Sequence, residues 1–219
     1  MSPIRRRHAH CALLRRACRL WVGSKTLLSH VAYSKDAAGV PAPDPGAPPP
    51  AGRLFSVDAG ASVRRCDAAG AVTVSNGIGW SPDGSRMYYV DSPARCIVVF
   101  DYDLASGVAS NKRLFADLSG IAAGAVPDGL AVDVEGGVWV AMWDGGEIVR
   151  LSSAGLLLRR IALPVSRPTS VAFGSGTALY ITTCSFDAGD PAPLQEPLAG
   201  SIMCIDAGVA GVPVARCRV

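Results

Sequence analysis

Four absences narrow the kind of protein that this chain of 219 residues can be. No apolar run approaches the roughly 18 residues that a membrane-spanning helix needs, so we expect no membrane partner. The seven cysteines are scattered and form no CxxC pair, which argues against a zinc ribbon and against a disulfide framework. No histidine follows His30, and glutamate occurs only at Glu135, Glu147 and Glu196. The cysteine pattern favours a reducing compartment, and we expect a cytoplasmic protein.

Acidic residues are missing from residues 1–35, which hold eight Lys or Arg and all three histidines. Removing these eight from the 21 Lys and Arg leaves 13 bases against 18 acids, so the rest of the chain carries a charge of −5. A nucleic-acid-binding protein would carry its basic stripe on the folded part, and we therefore expect no nucleic-acid partner. Arg15 and Arg16 interrupt the apolar stretch that a secretory signal needs. An organellar transit peptide and a mis-set start remain as interpretations of the N-terminal segment.

The chain contains a repeat. Residues 74–84 (VSNGIGWSPDG) and 126–133 (VPDGLAVD) each place an amide or carboxylate oxygen beside a glycine, and an aromatic-rich strand follows in both cases. Clear copies span residues 72–115, 124–163 and 166–206, and an incomplete copy lies within residues 19–70. Short strands, glycine-containing turns and a period of about 40 to 50 residues are typical of propeller blades with four strands. The sequence therefore predicts an all-β propeller with about four blades.

Three segments fall outside this repeat. Residues 1–18 are expected to be unstructured or weakly helical. The first copy is interrupted by residues 25–51, of which the proline-rich part, residues 41–50, cannot supply N–H groups to a sheet. We therefore predict that residues 41–50 form a surface loop, and that a second loop, residues 187–199, interrupts the last copy.

The oxygen-bearing residues of the repeat are candidates for a metal site. Asn76 and Asp128 occupy the same point of two copies, and a ring of repeats gathers such side chains around its axis. Hard oxygen ligands suit Ca²⁺, Mg²⁺ or Mn²⁺, whereas Zn²⁺ is less expected because no histidine lies nearby in the sequence. Asp128 would be the single anionic ligand, so we expect weak binding. The alternative is that Asn76 and Asp128 are turn residues, because Asn-Gly and Asp-Gly are common turn pairs.

The chain resembles the family of SMP-30, gluconolactonase and luciferin-regenerating enzyme, to which regucalcin belongs. The resemblance is carried by SNGIGWSPDGSRMYYVDS, VPDGLAVDVEGGVWVAMWDGGEIVRL and LPVSRPTSVAFG, and it runs from about Arg19 to the end of the chain. It implies a six-bladed propeller that binds one divalent cation on its axis and hydrolyses sugar lactones. Asn76 and Asp128 match two of the family's metal ligands, and Asp128 also matches its candidate catalytic residue.

The chain also departs from the family pattern. The family's remaining ligand is a Glu near the N-terminus, and its substrate is held by an Arg and an Asn-Asp-Gly motif ahead of the strand at Arg19; neither feature is found there. We therefore expect residues 1–18 to be a non-family segment and residues 19–219 to be a partial propeller, corresponding to the C-terminal two-thirds of a family member.

Three expectations follow from a partial propeller. The metal and substrate sites would be incomplete, and the chain alone would hydrolyse gluconolactone no faster than buffer does. The alternative function is a non-catalytic propeller fragment that serves as a calcium-binding or interaction module. An incomplete ring would also expose blade edges, which predicts self-association.

Overall fold

The computed structural model describes residues 9–14, 19–24, 33–35, 41–43, 52–58, 60–185 and 195–213. Within these residues the chain forms seventeen strands, two short 3₁₀ turns at Asp67–Ala69 and Ser92–Ala94, and no α-helix. This confirms the predicted all-β class. The described part of the chain contains no helix with the length and apolar character needed to cross a membrane.

The first sheet and a small hairpin are built from the first six strands. These are β1 (Ala9–Leu14), β2 (Arg19–Ser24), β3 (Tyr33–Lys35), β4 (Pro41–Pro43), β5 (Leu54–Val57) and β6 (Val63–Arg65). The sheet has the order β1-β2-β5-β6, and β3 pairs with β4 as a separate two-stranded ladder. All of these pairings are antiparallel.

Strand β1 corrects the prediction that residues 1–18 are unstructured or weakly helical. It pairs with β2 along its whole length, with Ala9 opposite Ser24 and Leu14 opposite Arg19. Its six residues, AHCALL, include no proline or glycine, and they pair with an edge of β2 that would otherwise carry unpaired backbone groups. The rest of residues 1–18 lies outside the described residues. The domain boundary expected at Arg19 falls between the two strands and stays a prediction.

Strand β4 corrects the prediction of a loop over residues 41–50. Pro41–Pro43 pairs with β3, with Ala42 opposite Ser34. Proline occurs in an edge strand where its nitrogen faces away from the partner, and a two-stranded ladder consists only of edges. Residues 44–50, and residues 187–194 of the second predicted loop, lie outside the described residues.

The second, third and fourth sheets follow the chain in order. The second contains β7 (Ser75–Trp80), β8 (Arg86–Asp91), β9 (Cys96–Asp103) and β10 (Val108–Asp117). The third contains β11 (Val126–Val132), β12 (Val138–Trp143), β13 (Glu147–Leu151) and β14 (Leu157–Ala162). The fourth contains β15 (Pro168–Phe173), β16 (Ala178–Thr183) and β17 (Ile202–Asp206). Sequence neighbours pair antiparallel in each sheet, which gives the predicted blades.

The cores lie between successive sheets. In β8, Met87 and Tyr89 pack toward the first sheet, whereas Tyr88 and Val90 pack toward the third. The side chains of β12 alternate in the same way, one set packing toward the second sheet and the other toward the fourth. Because successive side chains of a strand point to opposite faces, a strand covered on both sides reads as a continuous apolar run.

The fourth sheet is covered on one face only. Leu179 and Ile181 are fully buried against the third sheet, but Tyr180 is 45% exposed and Ile202 is 71% exposed. Tyr180 is therefore not packed between two sheets as the aromatic residues Tyr88 and Trp139 are. Within the described residues the sheets pack first to second, second to third and third to fourth, and they do not close. This confirms the expected incomplete ring.

Candidate functional site

The first strands of the second, third and fourth sheets lie side by side along the inner edge of the arc. Two glycines allow the close approach of these strands. A Cβ atom at Gly77 would lie 2.7 Å from the carbonyl oxygen of Asp128, and one at Gly129 would lie 2.5 Å from the Cβ of Ser170. Gly77 belongs to β7 and Gly129 to β11, so the glycines serve strand packing. The interpretation of Asn-Gly and Asp-Gly as turn pairs is therefore wrong.

Each of these inner strands is irregular at the same point. The register shifts fall between Ser75 and Ile78, between Pro127 and Leu130, and between Pro168 and Ser170. A β-bulge bends the strand and changes the direction of the side chain at the extra residue. The residues at these bulges are Asn76, Asp128 and Thr169. In three successive sheets, therefore, the inner strand changes the direction of one side chain at the corresponding position.

Asn76 is nearly buried, and its two amide atoms have different surroundings. Its Nδ2 donates a hydrogen bond of 2.5 Å to the Oγ of Ser92. Its Oδ1 is buried and has no hydrogen-bond partner. A buried polar atom left unsatisfied costs about 1 to 3 kcal/mol, and most such atoms in folded proteins have a partner. An orphaned carbonyl oxygen of this kind fits a ligand position for a cation.

Asp128 is half-buried and belongs to the same cluster. The Ser92 hydroxyl that accepts from Asn76 donates a hydrogen bond of 2.6 Å to the carbonyl oxygen of Pro127, the residue before Asp128. The structure thus places the two predicted site residues on adjacent strands, and one hydroxyl group connects the Asn76 side chain to the backbone of the residue before Asp128. An amide oxygen and a carboxylate form a hard donor set of the kind that suits Ca²⁺, Mg²⁺ and Mn²⁺. Their role as ligands stays a prediction.

The three glutamates are engaged by other partners. Glu135 pairs with Arg150, and Glu147 makes two bonds of 2.7 Å to Arg160. Glu196 accepts a bond of 2.9 Å from the backbone nitrogen of Ser166. Over the described ranges no group of three or more His, Cys, Asp or Glu side chains could hold a metal ion.

Sequence reasoning missed two residues of this region. Ser92 ends the SNGIGWSPDGSRMYYVDS stretch, but nothing in the sequence pairs its hydroxyl with Asn76. Thr169, whose hydroxyl lies 2.7 Å from that of Thr182, stands in the third repeat where Asn76 and Asp128 stand in the others. An alignment of the three repeats would have identified Thr169 as the corresponding residue.

Antiparallel sheets of three or four strands, arranged as an arc with bulged inner strands, define the chain as a propeller-type protein. The family model described as the SMP-30/gluconolactonase/LRE-like region matches residues 13–185. The chain belongs to this family.

Three similar proteins illustrate the relationship. Regucalcin from Oryctolagus cuniculus is 41% identical over 147 residues, which cover 65% of this chain and 48% of the relative. L-arabinolactonase from Azospirillum brasilense is 36% identical over 175 residues, which cover 79% of this chain and 57% of that protein. The crystal structure of the calcium-binding protein regucalcin from Agrobacterium tumefaciens superposes with a TM-score of 0.74 at 23% identity, covering 94% of this chain and 63% of that one. The chain spans about half the length of the regucalcins that it matches.

Proposed function

We propose that Asn76 and Asp128 form the cation-binding part of a sugar-lactone hydrolase site. The observation that carries this proposal is the buried, unpartnered Oδ1 of Asn76 beside the strand that bears Asp128. The family and the relative named L-arabinolactonase support the same chemistry. The cofactor would be Ca²⁺, Mg²⁺ or Mn²⁺, since both ligands are oxygen atoms.

In this proposal, two residues of the chain have distinct roles in binding and catalysis. Asn76 Oδ1 and the Asp128 carboxylate would hold the cation, and the half-buried Asp128 would also take a proton from the water that attacks the lactone. A divalent cation held there would act as a Lewis acid toward the carbonyl of the substrate. With one anionic ligand, binding should be weak, because Ca²⁺ usually takes about 6 to 8 oxygen ligands.

A second candidate is a calcium-binding or interaction module without turnover. The described residues supply no cluster of three metal-ligating side chains, and the fourth sheet leaves Tyr180 and Ile202 exposed on one face. The first observation fits a site that binds a cation loosely without catalysis. The second fits a surface that another protein molecule covers.

Metal titration and a lactonase assay separate the two candidates. Free Mn²⁺ is measured by electron paramagnetic resonance, and acid release from gluconolactone is measured in a pH-stat with Mn²⁺ or with EDTA. The control is Asp101→Ala, which removes an exposed carboxylate paired with Arg113. We expect weak Mn²⁺ binding that Asp128→Ala abolishes and Asp101→Ala preserves.

The outcomes are distinct. Metal-dependent hydrolysis that Asp128→Ala removes supports the hydrolase and would show that the expectation of an inactive chain is wrong. Mn²⁺ binding without hydrolysis supports the second candidate. Binding that survives both Asn76→Ala and Asp128→Ala would show that the cation lies elsewhere and would overturn the proposed site.

A further inference from the structure

We propose that Ser92 is a positioning residue that determines which atom of Asn76 faces the cation. This inference rests on the proposed function, because it assigns a partner to one of the proposed ligands. Ser92 is 5% exposed and directly follows β8, at the opposite end of the SNGIGWSPDGSRMYYVDS stretch from Asn76.

The direction of two hydrogen bonds fixes the orientation of the amide. The carbonyl oxygen of Pro127 can only accept, so the single hydroxyl proton of Ser92 is donated to it. Toward Asn76, the Oγ of Ser92 can then only accept. Asn76 must therefore present its Nδ2 to Ser92, and its Oδ1 points the other way. An amide nitrogen cannot coordinate a cation, so this orientation is the one that a metal site requires.

The backbone holds Ser92 in place. Ser92 opens the 3₁₀ turn, its nitrogen donates to the carbonyl of Val74 at 3.1 Å, and its carbonyl accepts from the nitrogen of Arg95 at 3.0 Å. The backbone of Ser92 is thus anchored to Val74, just ahead of β7, and its hydroxyl reaches Pro127 in β11. Ser92 therefore links the strand that carries Asn76 to the strand that carries Asp128, and it should fix the relative placement of both ligands.

The test compares the Mn²⁺ affinity of wild type, Ser92→Ala and Ser75→Ala by electron paramagnetic resonance. Ser75 is the matched control because it is 1% exposed, lies beside Asn76, and accepts a hydrogen bond of 2.7 Å from the Tyr89 hydroxyl. Loss of a partner that orients a metal ligand typically weakens metal binding by about 10- to 100-fold. We expect that increase in Kd for Ser92→Ala, and a change of less than about twofold for Ser75→Ala.

Far-ultraviolet circular dichroism below the melting temperature establishes that each variant is folded. If Ser92→Ala does not fold, Ser92→Cys keeps the shape of the side chain with a somewhat larger terminal atom. It replaces the hydroxyl by a weak donor and acceptor, and it should also weaken binding. Equal Kd values for wild type and the folded Ser92 variant would overturn this inference and leave the proposed function intact. An equal loss in Ser75→Ala would also overturn it, as a general effect of buried hydroxyl removal. A wild-type chain that binds no Mn²⁺ would overturn the proposed function and the inference together.

Discussion

The substitution Asp133→Asn tests how strongly one buried carboxylate stabilises the third sheet. Asp133 is fully buried at the turn between β11 and β12. Its Oδ1 accepts from the backbone nitrogens of Glu135 at 3.0 Å and Gly137 at 2.7 Å. Its Oδ2 accepts from the Nε1 of Trp139 at 2.9 Å and the Nε of Arg150 at 2.8 Å. Since all four partners are donors, an amide nitrogen in place of either oxygen would face two N–H groups.

The expected loss follows from these contacts. Hydrogen bonds to a charged group contribute about 1.5 to 3 kcal/mol each, and the Asn side chain can keep only half of them. Removing one partner of a buried ion pair costs about 3 to 5 kcal/mol. Arg150 keeps its second partner, Glu135, which prevents a larger loss. We expect Asp133→Asn to lower the free energy of unfolding by about 3 to 5 kcal/mol and the melting temperature by about 6 to 20 °C.

Urea unfolding followed by tryptophan fluorescence measures this effect, because Trp139 is itself a partner of the carboxylate. Asp101→Asn is the control, since Asp101 and Arg113 form a pair whose side chains are 49% and 45% exposed. Such an exposed pair contributes little to stability, because water competes for both charges. Equal destabilisation by the two substitutions would refute the reasoning, because the buried carboxylate would then be no more important than an exposed one.

Two further predictions concern thiol reactivity and association. Burial raises the pKa of the Cys66 thiol, so Cys204, which is exposed, should be alkylated at pH 8 at least tenfold faster than Cys66. Peptide mass spectrometry measures the two rates, and equal rates would contradict this prediction. Light scattering should show that the wild type self-associates, and that Ile202→Lys or Tyr180→Lys reduces the association. The control Val108→Lys, at a similarly exposed site on the second sheet, should leave it unchanged. A monomeric wild type would contradict this prediction.

Most of the fold could be predicted because its strands have strong local signals. Strands β8 and β12 are apolar and aromatic runs that follow Asp-Gly and Glu-Gly turns, and the repeat places them at equal positions in two sheets. These features depend on the chain's own pattern and on turn residues, so they could be recognised without knowledge of the partners.

The errors concern features that depend on the environment. Strand β1 forms because β2 offers an edge, and β4 forms because β3 lies opposite, so neither is determined by its own composition. Tyr180 has the same place in its strand as buried aromatic residues in other sheets, but no described sheet covers its face. Burial of a strand residue is decided by what packs against it, which the residue type alone does not show.

The candidate site shows the same division between local and long-range information. The repeat identified Asn76 and Asp128, but an Asn-Gly pair has the same local preferences in a turn and at a bulge. The orientation of the Asn76 amide depends on Ser92, and through Ser92 it depends on the carbonyl of Pro127. Pro127 lies 35 residues after Ser92 in the chain. The bond between Ser92 and Pro127 crosses from the second sheet to the third. A substitution that shifts these two sheets relative to each other should therefore disturb the proposed ligand geometry before it disturbs the strands themselves.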